Sequence, residues 1–484
     1  MFKNKYRPYL VIILLGLALY LATAFFDFSY LDDNTLILDN YSIISQASQI
    51  GSFFTNDVFF SDNDFYYRPL LSISLFFDTL ISGQLPWFFH VSNVLLHILA
   101  ACLLFALLKK LKSPAALAFW LTLIFLAHPA LVQSVAWIPG RNDSILAIFV
   151  TASFIYFLKF LEKPRLADYT ASLLFFSAAL FTKETALVFP VLALFYYLFI
   201  SEKKINIADK WSWIVGATAG ILIWTFFRSL AVNGGSGLSV MVSSILANSP
   251  ALIVGLGRFF LPFDLAIMSV LKDANLVFGL LAVIILAAAA IYKKGIPKKY
   301  LAFGLLWYLL FLLPSLINPD SRNAYYFLEH RLYLPFIGLL IMTAQIKFLK
   351  DLDYRRPSVY ASGLALVILF FMLSAFHLPN FQNRLAFWQS AVASSPSAPM
   401  PVRNLGVMLY FNNRQTEALA AYTRALELNP EEPMAHNNIG VIYLGQGKLD
   451  EAEAEFKKEL EINPGYDRAL ANLQDLLILK NQLR

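Results

Sequence analysis

The chain has a single cysteine, Cys102, among its 484 residues. One thiol cannot close an internal disulfide, so no cross-linked scaffold is available and the redox compartment stays open. Charge is scarce as well: only 14% of residues are Asp, Glu, Lys or Arg, where soluble domains carry roughly 25%. With 58% hydrophobic residues and 15% aromatics, that scarcity excludes an ordinary soluble fold for most of the length. The aromatic share suits lipid-facing helices with interfacial belts. The net charge of +6 is no sign of nucleic-acid binding here; its meaning lies in where the positive charges fall.

A membrane crossing takes about 20 apolar residues. Eleven candidate spans lie near 9–26, 87–108, 115–131, 144–161, 168–182, 185–201, 211–230, 274–292, 299–317, 331–348 and 357–377. Basic clusters occupy alternate connections: Lys3, Lys5 and Arg7; Lys109, Lys110 and Lys112; Lys159, Lys163 and Arg165; Lys203, Lys204 and Lys210; Lys293, Lys294, Lys298 and Lys299; Lys347, Lys350, Arg355 and Arg356. The opposite connections hold only the scattered Arg68, Arg141, Lys183, Arg228, Arg258, Lys272, Arg322 and Arg331. The positive-inside rule therefore predicts a cytoplasmic N-terminus, and an odd number of spans an external C-terminus. Leu238 to Leu261 is apolar but interrupted by Asn233-Gly234-Gly235 before it and by Pro262 and Asp264 after it. It reads as an external interfacial helix or a re-entrant segment.

The N-terminal run, ending in Ala22-Thr23-Ala24, also has the pattern of a secretory signal with a cleavage site. It is long enough to span, and retention is the expectation. Beyond it a long external segment runs from Asp27 to about Pro86 and carries Asp32 and Asp33 near its start and Arg68 near its end. Leu70 to Leu80 is apolar but short and suits a helix lying in the interface.

From about Phe381 the composition turns polar and a period of 34 sets in. Arg403-Asn404-Leu405-Gly406 recurs as Asn437-Asn438-Ile439-Gly440, and Ala418, Tyr422 and Pro430 recur as Ala452, Phe456 and Pro464. Small, aromatic and proline landmarks at this spacing are the tetratricopeptide signature. The chain thus divides into a membrane domain, 1–380, and a repeat domain, 381–484. The latter reads as a half repeat at 381–396, repeats at about 399–432 and 433–466, and a capping helix at 467–484. Asn404, Asn438 and Asn472 stand 34 apart. An amide ladder on the first helix of each repeat can both donate to and accept from a peptide backbone. The same asparagines also simply suit that helix position.

Two adjacent carboxylates at the mouth of a span are costly beside hydrocarbon and need a compensating reason. Asp32 and Asp33 head four polar groups that the charge map places on one side of the membrane. The others are His128-Pro129 with Arg141-Asn142-Asp143, then Lys183-Glu184, then Glu329-His330-Arg331 with Tyr333. Taken singly, each reads as a structural ion pair or a snorkelling side chain; together they point to one acid–base site.

Leu31-Asp32-Asp33-Asn34, Tyr67-Arg68-Pro69-Leu70, His90-Val91-Ser92-Asn93 with His97, His128-Pro129 through Gly140-Arg141-Asn142-Asp143, Lys183-Glu184, and Glu329-His330-Arg331-Leu332-Tyr333-Leu334-Pro335 follow one another in an order that resembles the transmembrane and tetratricopeptide-repeat family of GT-C glycosyltransferases, which are protein O-mannosyltransferase-like. His330 interrupts the acid–Arg pair of the last motif. The short repeat array is similar to a bacterial member's, implying a multi-pass inner-membrane protein with periplasmic repeats.

The resemblance implies an all-α, GT-C-type membrane domain. It also implies transfer of a sugar, a hexose such as mannose, from a polyprenyl-phosphate donor to a hydroxyl acceptor, Ser or Thr of a protein, with inversion. Such a displacement needs a carboxylate base, for which Asp32 and Asp33 are the candidates. It also needs cations on the leaving phosphate: Arg141, Lys183, Arg331 and Arg68. Asp143, Glu184 and Glu329 would orient those cations or hold sugar hydroxyls, while Asn404, Asn438 and Asn472 would hold acceptor peptide. No cofactor is required; a divalent metal, if one takes part, would sit on Asp32, Asp33 and Asp143. Three other readings remain: the same enzyme acting on a lipid or envelope glycan with the repeats recruiting partners, a membrane-anchored scaffold without activity, and a transporter. The external acid–base pairs weigh against the scaffold. Polar groups at span ends rather than mid-membrane weigh against the transporter.

Overall fold

The structure is a computed structural model that describes residues 4–61, 66–203, 205–232, 237–292, 295–317 and 325–483. Lys3, Asp62, Asp64, Lys204, Asn233, Gly234, Gly235, Lys293, Lys294, Arg322 and Arg484 lie outside the described residues. The rest is almost wholly helical; among the described residues the only strands are Ser269–Val270 and Tyr326–Phe327. The chain divides into two units. One comprises Met1–Leu265, Asn275–Asn323 and Phe327–Asn383, the other Ala266–Ala274, Ala324–Tyr326 and Arg384–Arg484.

Among the described residues of the first unit six helices are long and apolar enough to cross a membrane: Arg7–Phe25, Trp87–Lys110, Ile138–Glu162, Ile207–Ala231, Lys298–Leu316 and Pro357–Phe381. Two bent pairs raise the number to eight. Ala115–Leu126 and Pro129–Ala136 meet at 56°, and Leu238–Asn248 and Pro250–Phe260 at 46°. Each bend falls at a proline, which lacks the N–H that would continue the helix and clashes with the preceding turn. The eleven expected segments are therefore not eleven equivalent rods. Leu166–Thr182, Glu184–Ile200 and Leu276–Ile291 are helical but shorter. The expected span at 331–348 is the eleven-residue helix Tyr333–Thr343 followed by the short Lys347–Asp351. Pro250–Phe260 packs closely on Leu276–Ile291 because glycine meets glycine. A Cβ on Gly257 would lie 2.6 Å from the Gly279 amide nitrogen, the small-residue contact that lets membrane helices approach.

The expected external segment folds into short helical turns, Asn34–Asp39, Tyr41–Ile44 and Ala47–Phe54, ahead of the helix Pro69–Ser82. Phe28, Leu36, Ile37, Ile44, Val58, Leu71 and Leu75 join Phe89 and Ile138 in one apolar cluster. Asn40 ties the segment together by donating its Nδ2 to the carbonyls of Thr35 and Phe59, each at 2.8 Å.

The second unit carries the helical pairs Pro399–Phe411 with Gln415–Leu428 and Ala435–Gly445 with Leu449–Ile462. Arg384–Ser394 precedes them and Asp467–Gln482 follows. Each pair closes by the same contact: a Cβ on Gly406 would lie 2.6 Å from the Tyr422 ring, and one on Gly440 2.6 Å from the Phe456 ring. The aromatic ring occupies the volume that the missing side chain leaves, which accounts for the 34-residue spacing of both landmarks.

Candidate functional site

The helix Arg141–Glu162 starts beside the short helical turn at Ile138–Gly140, and its first turn carries Asp143. The turn ahead of it is pinned by Asn93 of the helix Trp87–Lys110. Asn93 Nδ2 donates to the carbonyls of Val135 and Trp137 at 3.0 and 3.1 Å. Lys183 ends the helix Leu166–Thr182 in an extended conformation, and Glu184 opens the next turn. His330 and Arg331 lie on the short turn Glu329–Leu332, just ahead of Tyr333–Thr343. These ends meet around a cavity of about 330 Å³. It is lined by Asp32, Arg68, Asp143, Lys183, Glu184 and Arg331 from the sequence-derived set, and also by Tyr66, Trp137, Asn142, Thr185, Ser315 and His330.

Within the wall, Lys183 Nζ donates to both oxygens of Asp143, at 2.8 and 3.0 Å. His330 Nε2 lies 3.8 Å from Asp143 Oδ2. Arg68 Nη2 stands 3.7 Å from Glu184 Oε1, with its guanidinium 4.5 Å from the centre of the Tyr66 ring. Arg331 Nη1 donates to the Ser315 carbonyl at 3.0 Å. The cavity thus presents three cations against three carboxylates, with Lys183 and Asp143 mutually committed.

The two aspartates of the first motif part company. The turn before them is closed by Asp33, whose Oδ2 accepts from the Ser29 amide at 2.6 Å and from Ser29 Oγ at 2.9 Å, while Oδ1 accepts from the Asn34 amide at 3.1 Å. Tyr30 in that turn takes a left-handed φ of 59°. Asp33 is buried away from the cavity; Asp32 faces it, half-buried. Loss of water around Asp32, together with the neighbouring Asp33 charge, pushes its carboxyl up to about 6, against the pull of Arg68 and Arg331. Burial likewise raises Asp33, which its hydrogen bonds from Ser29, Tyr30 and Leu31 oppose.

Arg141 does not reach the cavity. It is fully buried, ion-paired with Asp78 through Nη1, and Nη2 donates to the Phe89 carbonyl at 2.6 Å. Asp78 also accepts from Ser92 Oγ at 2.6 Å. Glu329 is buried outside the cavity as well, with Arg258 Nη1 at 3.7 Å and His377 Nε2 at 3.4 Å. His128 packs among Phe259, Phe336 and Phe370 with Nε2 3.2 Å from the Phe259 carbonyl. The Tyr333 hydroxyl meets His97 Nδ1 at 2.7 Å.

His330, which sequence reasoning placed in the fourth polar group but took as an interruption of the acid–Arg pair, lines the cavity. Its ring lies against Trp137, with centroids 5.1 Å apart. Gln133 Oε1 accepts from its amide at 3.0 Å and sits 3.2 Å from Nδ1. Since that oxygen only accepts, Nδ1 carries the proton and Nε2 presents its lone pair. Burial and the nearby Lys183, Arg331 and Arg68 charges hold the ring well below its ordinary value, so it is neutral. Trp137 and Thr185 were missed, and Asn142 was read only as part of Arg141-Asn142-Asp143, although Asn142 and Thr185 adjoin Asp143 and Glu184 in sequence.

Asp32, Asp33 and Asp143 do not form a metal-ligand set. Asp143 gives both oxygens to Lys183, and Asp33 gives both to its own turn. Among the described residues no three His, Cys, Asp or Glu side chains converge to hold an ion. In the repeat unit, Asn404 Nδ2 lies 3.2 Å from Met400 Sδ. Asn438 Oδ1 accepts from Asn437 at 3.4 Å, and Asn472 Nδ2 donates to Asn437 Oδ1 at 2.8 Å.

Residues 69–228, which supply Asp143, Lys183 and Glu184 to the cavity, match the family model described as dolichyl-phosphate-mannose-protein mannosyltransferase, and residues 403–467 match that of the tetratricopeptide repeat. The chain resembles the O-mannosyl-transferases that carry tetratricopeptide repeats. It is 34% identical to protein O-mannosyl-transferase TMTC2 of Mus musculus over 150 residues, 30% of this chain and 18% of that protein. It is 26% identical to protein O-mannosyl-transferase Tmtc1 of Drosophila melanogaster over 228 residues, 46% of this chain and 26% of that one. The matched stretch thus spans about a fifth to a quarter of these relatives' length. The mannosyltransferase match at residues 69–228 falls within the unit that holds the cavity.

Proposed function

We propose that the chain is an integral-membrane, inverting glycosyltransferase. It moves a hexose, mannose by its likeness to the relatives, from a polyprenyl-phosphate donor to a Ser or Thr hydroxyl of a protein. The observation that carries this reading is the cavity in which Asp32 faces Arg68, Lys183 and Arg331. The acceptor oxygen attacks the anomeric carbon, the bond to the phosphate oxygen breaks, and the acceptor's proton passes to the Asp32 carboxylate. A carboxyl raised to about 6 is ionised at neutral pH yet basic enough to take that proton. The leaving group departs as a phosphate and needs no protonation; it needs cations. Arg331 and Arg68 are suited to bidentate contact with it, and Lys183 keeps one N–H beyond the two given to Asp143. Glu184 steers Arg68, and Asp143 steers Lys183.

The cavity lies at the Asp143 end of the helix Arg141–Glu162. Glu162 at the other end pairs with Lys110 at 2.6 Å, within the basic clusters. Positive charge gathers on the cytoplasmic side, so in this reading the cavity and the C-terminal repeats face away from the cytoplasm, into the periplasm of a bacterial inner membrane. The repeats gather the acceptor protein, with Asn404, Asn438 and Asn472 contacting its backbone.

The test is transfer from a polyprenyl-phosphate mannose donor to a protein acceptor. Asp32→Asn lowers transfer by about 10²–10⁴-fold while leaving membrane insertion intact; transfer at the wild-type rate removes the assignment. Replacing the three asparagines with Ala weakens use of protein acceptor and spares hydrolysis of the donor, and equal loss of both removes the peptide-binding role. A reporter fused after Arg484 is active only outside the cytoplasm, and a cytoplasmic signal inverts the orientation.

A further inference from the structure

Three uncharged residues that line the cavity have unsatisfied polar atoms. Trp137 Nε1, Thr185 Oγ1 and both amide atoms of Asn142 are buried without a hydrogen-bond partner within the protein. All three residues line the cavity and are less than 5% exposed. Buried polar groups are nearly always paired, so four such atoms on residues that line one cavity call for an explanation. They are neighbours through a run of contacts. Trp137 lies against His330, His330 faces Asp143 at 3.8 Å, and Asp143 holds Lys183 at 2.8 Å. Asn142 adjoins Asp143, and Thr185 stands two residues after Lys183.

We propose that Trp137, Asn142 and Thr185, with the lone pair of His330 Nε2, form the subsite that recognises the hydroxyls of an uncharged sugar. This rests on the transferase reading above. The chemistry matches: an indole N–H donates, an amide donates and accepts, a hydroxyl does both, and the imidazole nitrogen accepts. A pyranose presents hydroxyls that both donate and accept, and its C–H faces suit an indole. No group among these four carries charge. The adjoining charges of Lys183 and Asp143 are given to each other. Arg68 and Arg331 remain for the phosphate, which separates sugar recognition from leaving-group recognition within one cavity.

The experiment measures binding to the full chain in nanodiscs. The probes are a short polyprenyl-phosphate mannose and the methyl phosphodiester of the same lipid, which has equal charge and no sugar. The wild type binds the mannosyl lipid on the order of tenfold more tightly, the margin expected when hydroxyls pair with groups otherwise left unmade. Asn142→Ala and the isosteric Thr185→Val each bring that ratio towards one and leave affinity for the methyl ester in place, which also reports an intact fold. Variants that keep the ratio, or that weaken both lipids alike, overturn the subsite. A wild type that binds both lipids equally overturns the subsite and leaves the donor reading standing. A wild type that binds neither overturns the donor reading and the subsite with it. A phosphate-linked amino sugar that binds better than the mannosyl lipid overturns the claim that the subsite selects an uncharged ring.

Discussion

Lys183 Nζ lies 2.8 Å from Asp143 Oδ1 and 3.0 Å from Oδ2, joining the end of the helix Leu166–Thr182 to the start of Arg141–Glu162 with both side chains almost withdrawn from solvent. Removing one partner of such a pair strands the other charge in a poorly solvated wall. Lys183→Met or Asp143→Leu alone is expected to cost about 3–5 kcal/mol. The double variant recovers most of that stability and none of the sugar transfer. Thermal unfolding of the four proteins in detergent checks the first part, and transfer assays the second. A double variant that loses the sum of the two single losses would mean that the pair is not coupled.

Asp32 and Asp33 are adjacent in sequence and face different surroundings, so they fail differently. The Asp32 carboxyl is raised to about 6, so its base form is lost as pH falls through that value. The ratio kcat/KM for transfer therefore rises with pH through about 6 and levels off above 7. Asp32→Asn lowers it by about 10²–10⁴-fold, the usual worth of a positioned base, at little cost in stability. Asp33→Asn loosens the turn that Ser29 and Asn34 close and costs about 1–3 kcal/mol of stability. A profile that stays flat down to pH 5 would take the base role from Asp32.

The arginines divide in the same way. Arg331 lines the cavity and Arg141 does not. Arg331→Lys keeps the charge but loses the fork that meets a phosphate bidentately. It is expected to cut transfer on the order of 100-fold with an unchanged melting temperature. Arg141→Met leaves Asp78 buried and unpaired, costing about 3–5 kcal/mol and most of the protein recovered from membranes. Reversed results for the two variants would exchange their roles.

Much of this was legible in the sequence because charge in an apolar chain is conspicuous. Asp32, Arg68, Asp143, Lys183, Glu184 and Arg331 stand out against their neighbours, and the structure brings all six to one cavity. Arg141 and Glu329 stand out equally, yet each is spent on a buried partner, Asp78 or Arg258, far off in sequence. Which cations meet ligand and which hold helices together depends on packing that no local pattern encodes. Trp137 and Thr185 carry no charge, and Asn142 was noted only as part of Arg141-Asn142-Asp143; that all three line the cavity with unpaired buried atoms appears only in the structure. Helix lengths were read from apolar runs, and the runs at 115–131 and 331–348 hid a proline bend and an early stop. The 34-residue repeat was legible because its landmarks report contacts within each helical pair.

Those landmarks can be tested directly. Tyr422 fills the space over Gly406 as Phe456 fills that over Gly440, and in both places an added Cβ would sit 2.6 Å from the ring. Gly406→Ala is therefore expected to destabilise the repeats by about 1–3 kcal/mol, the cost of overpacking a filled core, although alanine is the better helix former. Gly440→Ala should cost the same, since the geometry is repeated. Adding Tyr422→Leu to Gly406→Ala removes the clash and should recover part of the loss, whereas Tyr422→Leu alone destabilises by opening a cavity. Chemical unfolding of the full chain, followed through the repeat helices, gives all four values. Strict additivity of the two substitutions would show that the ring and the glycine do not meet.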